Sequence, residues 1–136
     1  MSSYTLILTR SISMGFAGGI CGLYAVLVLL QGRPDPMPGW IPGLAGIAAA
    51  VAIWISVGAS NKKAVGATFD EGYRADDALA QRLGFWVAVW LYPVFAIPLF
   101  LEWITWPSAF AAMGTLTAAS YLLGSVWLDL RWRKWG

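Results

Sequence analysis

Long uncharged stretches alternate with short polar segments along the chain. Four stretches carry no charged residue, and they span 11–32, 36–61, 83–101 and 103–128. An α-helix rises about 1.5 Å per residue, so about 20 apolar residues cross a hydrocarbon core about 30 Å thick. Each stretch is close to or above that length, which predicts an all-α integral membrane protein with four helices. We place the helices in one transmembrane domain that covers 1–136, at about 11–30, 41–60, 69–101 (in the membrane from 83 to 101) and 107–130.

The connections between the stretches predict how the helices pair. The link between the first two helices is stiffened by Pro34, Pro36, Pro38 and Pro42, because each proline fixes its own φ and restricts the residue before it. Only 102–106 separates the last two helices, and so short a link makes them antiparallel neighbours. The predicted architecture is two antiparallel transmembrane hairpins joined by a polar, partly helical segment.

Helix three is expected to start inside that polar segment. Thr68 and Glu71 have the spacing of a capping box, in which the threonine hydroxyl and the glutamate carboxylate satisfy backbone N–H groups at the first turn. Further along, Pro93 and Pro98 lie within the helix. Each proline removes one backbone hydrogen bond, so a bend is expected there.

The basic residues predict the orientation. The link after helix one carries Arg33, and the link after helix three carries no Lys or Arg, whereas the other eight basic residues are Arg10, Lys62, Lys63, Arg74, Arg82, Arg131, Arg133 and Lys134. By the positive-inside rule, both termini and the middle segment lie in the cytoplasm. We therefore expect a multi-pass protein of the inner (plasma) membrane. Because the basic residues sit at the ends of the spans, the sequence indicates a lipid bilayer as the partner and not a nucleic acid.

Composition narrows the chemistry further. Hydrophobic residues make up 59% of the chain and charged residues 12%, there is no histidine, and Cys21 is the one cysteine. This excludes histidine ligands and histidine acid–base catalysis, as well as an internal disulfide. No phosphate-binding glycine loop or serine elbow is present. We expect no enzymatic activity, no catalytic residue, no cofactor and no metal.

A group of charged residues precedes the membrane part of helix three, namely Asp70, Glu71, Arg74, Asp76 and Asp77. The carboxylates suggest a hard-cation site, but one exposed helix rarely supplies six oxygen ligands, and a solvated charged face explains the pattern more simply. Mixed charge of this kind can also set the register of a protein contact. We keep these residues as candidates for a cytoplasmic interaction surface.

Small residues recur in helix one, at Ser11, Gly15, Gly18, Gly19 and Gly22. This small-xxx-small pattern lets two helix backbones approach closely. Helix two, with Gly46 and Ala50, and helix four, with Gly114, offer partners within the chain. Packing inside the chain is the simpler interpretation, and a self-associating or partner-bound face is the alternative.

Two further groups are expected at the membrane surfaces. Trp132, Arg133 and Trp135 in the C-terminal tail are predicted interfacial anchors, because indoles and basic side chains favour the headgroup level. On the opposite side, Glu102 and Arg33 can form an ion pair or reach headgroups.

Two functions remain open. The first is an accessory or structural subunit, or a self-associating membrane protein, that forms a homo-oligomer or binds a membrane-protein partner. The alternative is a small oligomeric transporter or channel that uses the proline-bent third helix and Glu102, since an ionisable group near a span is a candidate for function. In its four-span pattern, with Asp70 and Glu71 before the third helix, the chain resembles small bacterial four-span membrane proteins, a resemblance that implies a fold but no activity.

Overall fold

The computed structural model describes the chain from residue 1 to 133, with side chains to residue 131. This part is helical without strands, and its five helices are α1 (Ser3–Gln31), α2 (Trp40–Gly58), α3 (Lys62–Thr68), α4 (Glu71–Phe100) and α5 (Trp106–Arg133). Four of them, α1, α2, α4 and α5, are long and apolar enough to cross a membrane by length and composition. The prediction of an all-α chain with four such helices is confirmed.

Helix α1 begins two turns earlier than the uncharged stretch indicates. The Ser2 hydroxyl accepts a hydrogen bond from the Thr5 amide at 3.2 Å and caps the helix, as serine does at many helix starts. The predicted start near residue 11 is therefore too late, because hydropathy marks the apolar part of a helix and not its cap. At the other end, Gly32 has a φ of 63° and donates its N–H to the Val28 carbonyl at 2.9 Å, which is a left-handed cap that glycine adopts without strain.

The polar segment between α2 and α4 differs from the predicted capping box. Thr68 is the last residue of α3, and its hydroxyl donates to the Ala64 carbonyl at 2.8 Å. The cap of α4 is Asp70, which accepts from the Tyr73 amide at 2.9 Å. The capping-box prediction was wrong because Asp70 is an equally good cap two residues later, while the threonine hydroxyl bonds back to its own helix. Helix α4 then continues through Pro93 and Pro98.

Helices α1 and α5 lie at the centre of the packing. Helix α1 packs against α2, α3 and α5, and α5 also packs against α4. Arg10 meets Asp129 at one end of the pair, and the Ser108 hydroxyl donates to the Gly32 carbonyl at 3.4 Å at the other. Since the start of α1 lies beside the end of α5, these two helices run in opposite directions. We call the two ends of the molecule the Arg10 end and the Gly32 end.

The other helices are placed relative to these two ends by a few contacts. At the Arg10 end, the N-terminal amino group donates to the Ala59 carbonyl at 3.3 Å, directly after α2. At the Gly32 end, the Tyr24 hydroxyl donates to the Pro34 carbonyl at 2.7 Å. Toward the Gly32 end, α1, α4 and α5 share a buried cluster of Tyr24, Val28, Phe95, Ala109 and Ala112. The core thus lies along the α1–α5 contact and extends toward α4.

Candidate functional site

A buried ion pair joins α1 to α5 at the Arg10 end. Arg10 Nη2 lies 2.6 Å from Asp129 Oδ1, and the two side chains are 4% and 13% exposed. The Ser11 hydroxyl donates to the second carboxylate oxygen, Oδ2, at 2.8 Å. Both oxygens of Asp129 are therefore bonded, as a buried carboxylate requires. Among the side chains that the structure describes, this is the one ion pair.

The guanidinium of Arg10 is also covered by the connection between α3 and α4. Its Cζ lies 4.2 Å from the centre of the Tyr73 ring and 5.6 Å from that of Phe69, and the two rings meet edge to face at 5.0 Å. Nη1 donates to the Thr68 carbonyl at 3.5 Å. Because Thr68 ends one helix and Asp70 starts the next, the break in the chain places this carbonyl and both rings over the cation, where cation–π attraction is favourable.

A cleft of about 440 Å³ borders this pair, and Arg10, Asp129, Tyr73, Asp70 and Asp76 are among its lining residues. The Nε atom of Arg10 is buried without a hydrogen-bond partner. The described residues contain no group of three or more His, Cys, Asp or Glu residues placed to hold a metal ion. The contacts of Arg10 with Asp129, Thr68 and Tyr73, which we call the Arg10 cluster, fasten α1, α5 and the α3–α4 connection together.

The predicted cytoplasmic interaction residues divide into two sets. Asp70, Glu71 and Arg74 are exposed, although Asp70 also caps α4. Asp76 and Asp77 are half-buried. Asp77 accepts from the Tyr121 hydroxyl at 2.9 Å and from Gln81 Nε2 at 2.8 Å, so it serves the contact between α4 and α5. The side chains of Glu71 and Arg74, which make no hydrogen bond or ion pair among the described residues, are the candidates that stay open to a partner.

The small residues of α1 also divide. A Cβ built on Gly18 would lie 3.0 Å from atoms of Leu122 and Leu123, and those on Gly15 and Gly22 would lie 3.7 and 3.8 Å from α5 side chains. Ser11 is bonded to Asp129, as described above. Around Gly19 there is open space. Most of the small residues of α1 therefore face α5, and the two helices approach each other most closely at Gly18.

The other predicted site residues lie apart from the Arg10 cluster. Glu102 is exposed in the turn before α5, with a φ of 57°. Arg33 is exposed and its Nη2 donates to Gln31 Oε1 at 3.0 Å, so in this structure its bond goes to a neighbour in sequence and not to Glu102. The predicted anchors Trp132, Arg133 and Trp135 lie outside the described side chains.

Sequence reasoning missed Asp129. It follows the last uncharged stretch by one residue, and Arg10 precedes the first stretch by one residue. The predicted topology puts both residues on the same side of the membrane, at the same depth and with opposite charge. That coincidence was the available signal. Comparisons of the chain with protein-family models, with curated proteins and with solved structures found no match.

Proposed function

We propose that this protein is a four-span protein of the inner (plasma) membrane, with α1–α2 and α4–α5 as antiparallel hairpins and both termini in the cytoplasm. Support comes from the contacts at the Arg10 end, which bring together the start of α1, α3 and the end of α5. These segments carry most of the basic residues, whereas Arg33 lies near the Gly32 end. A cytoplasmic Arg10 end agrees with the positive-inside rule.

Orientation can be tested with a reporter at the C-terminus. In a Cys21→Ser background, Gly136→Cys gives a single thiol in the tail. A membrane-impermeant maleimide should label it in inverted vesicles and not in intact cells. Labelling in intact cells alone would reverse the proposed topology.

In this membrane setting we propose that the chain is a non-enzymatic accessory or structural subunit, or a self-associating protein, that binds through the outer face of α2. The observation that carries this proposal is an open stripe of small residues. A Cβ added at Gly43 or at Gly46 would meet no atom within 4 Å, and Ala50 is exposed one turn further on. Ala45 and Ser56 are the buried residues of α2.

Lipid alone does not account well for this stripe. Each glycine inside a helix is about 1 kcal/mol less favourable than alanine, and at Gly43 and Gly46 no described residue uses the space that the missing side chain leaves. Acyl chains adapt to any surface, whereas a second helix gains van der Waals contact from a close backbone approach. Next to the stripe, Trp54 is 85% exposed and lines a shallow cleft with Ala50, Val51 and Ile55. The Trp54 side chain thus forms a ridge beside the flat strip of small residues, and a second helix can pack against such a surface.

The test is the mass of the particle extracted in mild detergent from native membranes, with co-purifying proteins identified by mass spectrometry. We expect a homo-oligomer or a defined partner, and Gly46→Leu should disrupt it. Gly114→Leu is the matched control, because Gly114 is also exposed with no neighbouring atom within 4 Å, but lies on α5. A wild-type monomer without partners, or equal effects of the two substitutions, would contradict the proposal.

A second candidate, a small oligomeric transporter or channel, is favoured by one observation. The Arg10–Asp129 pair lies beside a cleft of about 440 Å³, and a buried ionisable group at the end of a span is a candidate for an ion or substrate pathway. Flux in liposomes that is abolished by Asp129→Asn, in a protein that stays folded, would support this function. Flux that depends on Glu102→Gln would instead support the role first expected for Glu102.

A further inference from the structure

A second cleft, which we call the α4–α5 groove, lies between these two helices toward the Arg10 end and has a volume of about 400 Å³. Helix α4 contributes Arg82, Leu83 and Trp86, and α5 contributes Gly124, Trp127 and Arg131. A cleft of this size falls within the range of about 300–1,000 Å³ that is typical of small-molecule sites. Unlike the cleft beside Arg10, its lining contains basic residues and no acidic one.

The two arginines of the groove have no partner in the described part of the protein. Both side chains are exposed, and neither makes an ion pair or hydrogen bond there. The nearest acid in sequence to Arg131 is Asp129, and both of its oxygens are already bonded by Arg10 and Ser11. Each guanidinium offers five N–H donors in a planar fork, which suits a phosphate. The groove therefore presents two positive charges that no described residue neutralises.

The polar and apolar parts of the groove are arranged in the order of a lipid. Arg82 directly precedes the uncharged stretch 83–101, and Arg131 lies three residues beyond the stretch 103–128, so both charges belong at the membrane boundary. Leu83 and Gly124 form the point of close approach, where a Cβ on the glycine would lie 3.0 Å from Leu83 Cδ2.

Two indoles flank this groove. Trp86 and Trp127 are 52% and 66% exposed, and indoles favour the headgroup level. The groove thus offers a part for each part of a phospholipid. The charges at the membrane boundary match a phosphate, the indoles beside them match a glycerol backbone, and the aliphatic side chains within the groove match an acyl chain.

We propose that the α4–α5 groove binds an anionic phospholipid, with Arg82 and Arg131 on its phosphate and an acyl chain against Leu83 and the indoles. Basic pockets between membrane helices on the cytoplasmic side are suited to such headgroups. The inference rests on the membrane placement proposed above, but not on the association through α2.

The experiment is native mass spectrometry of the purified full chain in detergent, titrated with phosphatidylglycerol or with phosphatidylcholine. We expect preferential binding of phosphatidylglycerol. The double variant Arg82→Gln/Arg131→Gln should weaken it about 30-fold, since each basic residue near an anionic headgroup contributes about fivefold. The double variant Arg33→Gln/Arg74→Gln is the matched control, because it removes the same charge at exposed positions outside the groove and should change binding less than twofold.

Four results would overturn the proposal. The first three are equal binding of the two lipids, an equal loss of binding in the control variant, and full competition by soluble glycerol phosphate. The fourth is that Arg82→Gln/Arg131→Gln loses a co-purifying protein while its lipid binding is unchanged. The last would make the groove a protein interface. Gly46→Leu separates this inference from the proposed function, because that variant should lose assembly and keep the lipid. Retained lipid in a monomeric wild type would likewise contradict the association while supporting the groove.

Discussion

Removing the charge of Asp129 should destabilise the protein more than its position near the end of α5 suggests. The substitution Asp129→Asn keeps the size of the side chain and one carbonyl acceptor, but leaves the Arg10 guanidinium positive and buried, since that side chain is only 4% exposed. The phenol ring at 4.2 Å and the backbone carbonyl at 3.5 Å remain, and neither carries a compensating charge.

The size of the effect follows from the buried charge. Breaking a buried ion pair by removing one partner costs about 3–5 kcal/mol. The amide of the variant still accepts one hydrogen bond, which places the expected loss near the lower figure, at about 3 kcal/mol. Because about 1.4 kcal/mol corresponds to a factor of ten, the population of open molecules should rise by about two powers of ten.

The chain carries its own probe for the assay. Cys21 is the one cysteine, and it lies in α1 with 5% of its surface exposed. In mild detergent, its rate of reaction with a thiol-specific fluorogenic dye reports how often the helices separate, provided that reclosure is faster than labelling. Asp129→Asn should react about 100-fold faster than the wild type, whereas Glu102→Gln, which removes an exposed carboxylate, should react at the wild-type rate.

The reasoning fails if Asp129→Asn labels within about threefold of the wild type. A second variant tests whether the effect comes from the unpaired charge or from altered packing. Arg10→Met/Asp129→Leu removes both charges together, and replacing a buried pair by apolar groups of similar size is often neutral or stabilising. We therefore expect the double variant to label much more slowly than Asp129→Asn. Equal rates in the two variants would show that shape, and not the unpaired charge, controls stability at this position.

Two further substitutions follow from the packing of α5 and use the same assay. Gly18→Leu should accelerate labelling of Cys21 by about 5- to 150-fold, because a Cβ there lies 3.0 Å from α5 side chains and overpacking costs about 1–3 kcal/mol. The control is Gly19→Leu, at a position with open space around it. Equal labelling rates in the two variants would contradict the close packing at Gly18. Tyr121→Phe removes the hydrogen bond to Asp77. A loss of stability of about 1 kcal/mol should accelerate labelling about fivefold. An unchanged rate would mean that this bond does not stabilise the contact between α4 and α5.

Much of the fold could be predicted because a chain placed in a bilayer would have few choices of structure. Within lipid every backbone polar group must be bonded inside the segment, so long uncharged stretches become helices. This identifies α2 and α5 within a few residues of the expected bounds. The helix ends outside the uncharged stretches are harder to predict. Ser2, Asn61 and Asp70 cap helices, but Ser60 and Thr68 are also of good capping types, and sequence alone does not rank them.

The candidate site was harder to predict because its members come from three separate segments. Arg10 and Asp129 lie 119 positions apart in sequence, and each looks like one more charge at a membrane boundary. Only the pairing of α1 with α5, which differs from the pairing of sequence neighbours, brings them together. The glycine stripe of α1 pointed to a close contact but not to its partner. The helices carrying Gly46 and Gly114 were equal candidates by composition, yet both of these glycines face open space.

The polar side-chain contacts between helices distinguish α5, which holds the fold together, from α2, whose outer face we propose as the binding surface. Arg10 and Ser11 of α1 donate to Asp129. Tyr121 of α5 donates to Asp77 of α4, so α5 is bonded to the helices on both of its sides. Helix α2 packs against α1, and the side-chain bond that its Ser56 donates stays within α2. A helix held by so few directional contacts keeps its outer face open without loss to the core. Under the association proposed above, substitutions on that face should change assembly and leave the protection of Cys21 intact, whereas Asp129→Asn should reduce that protection.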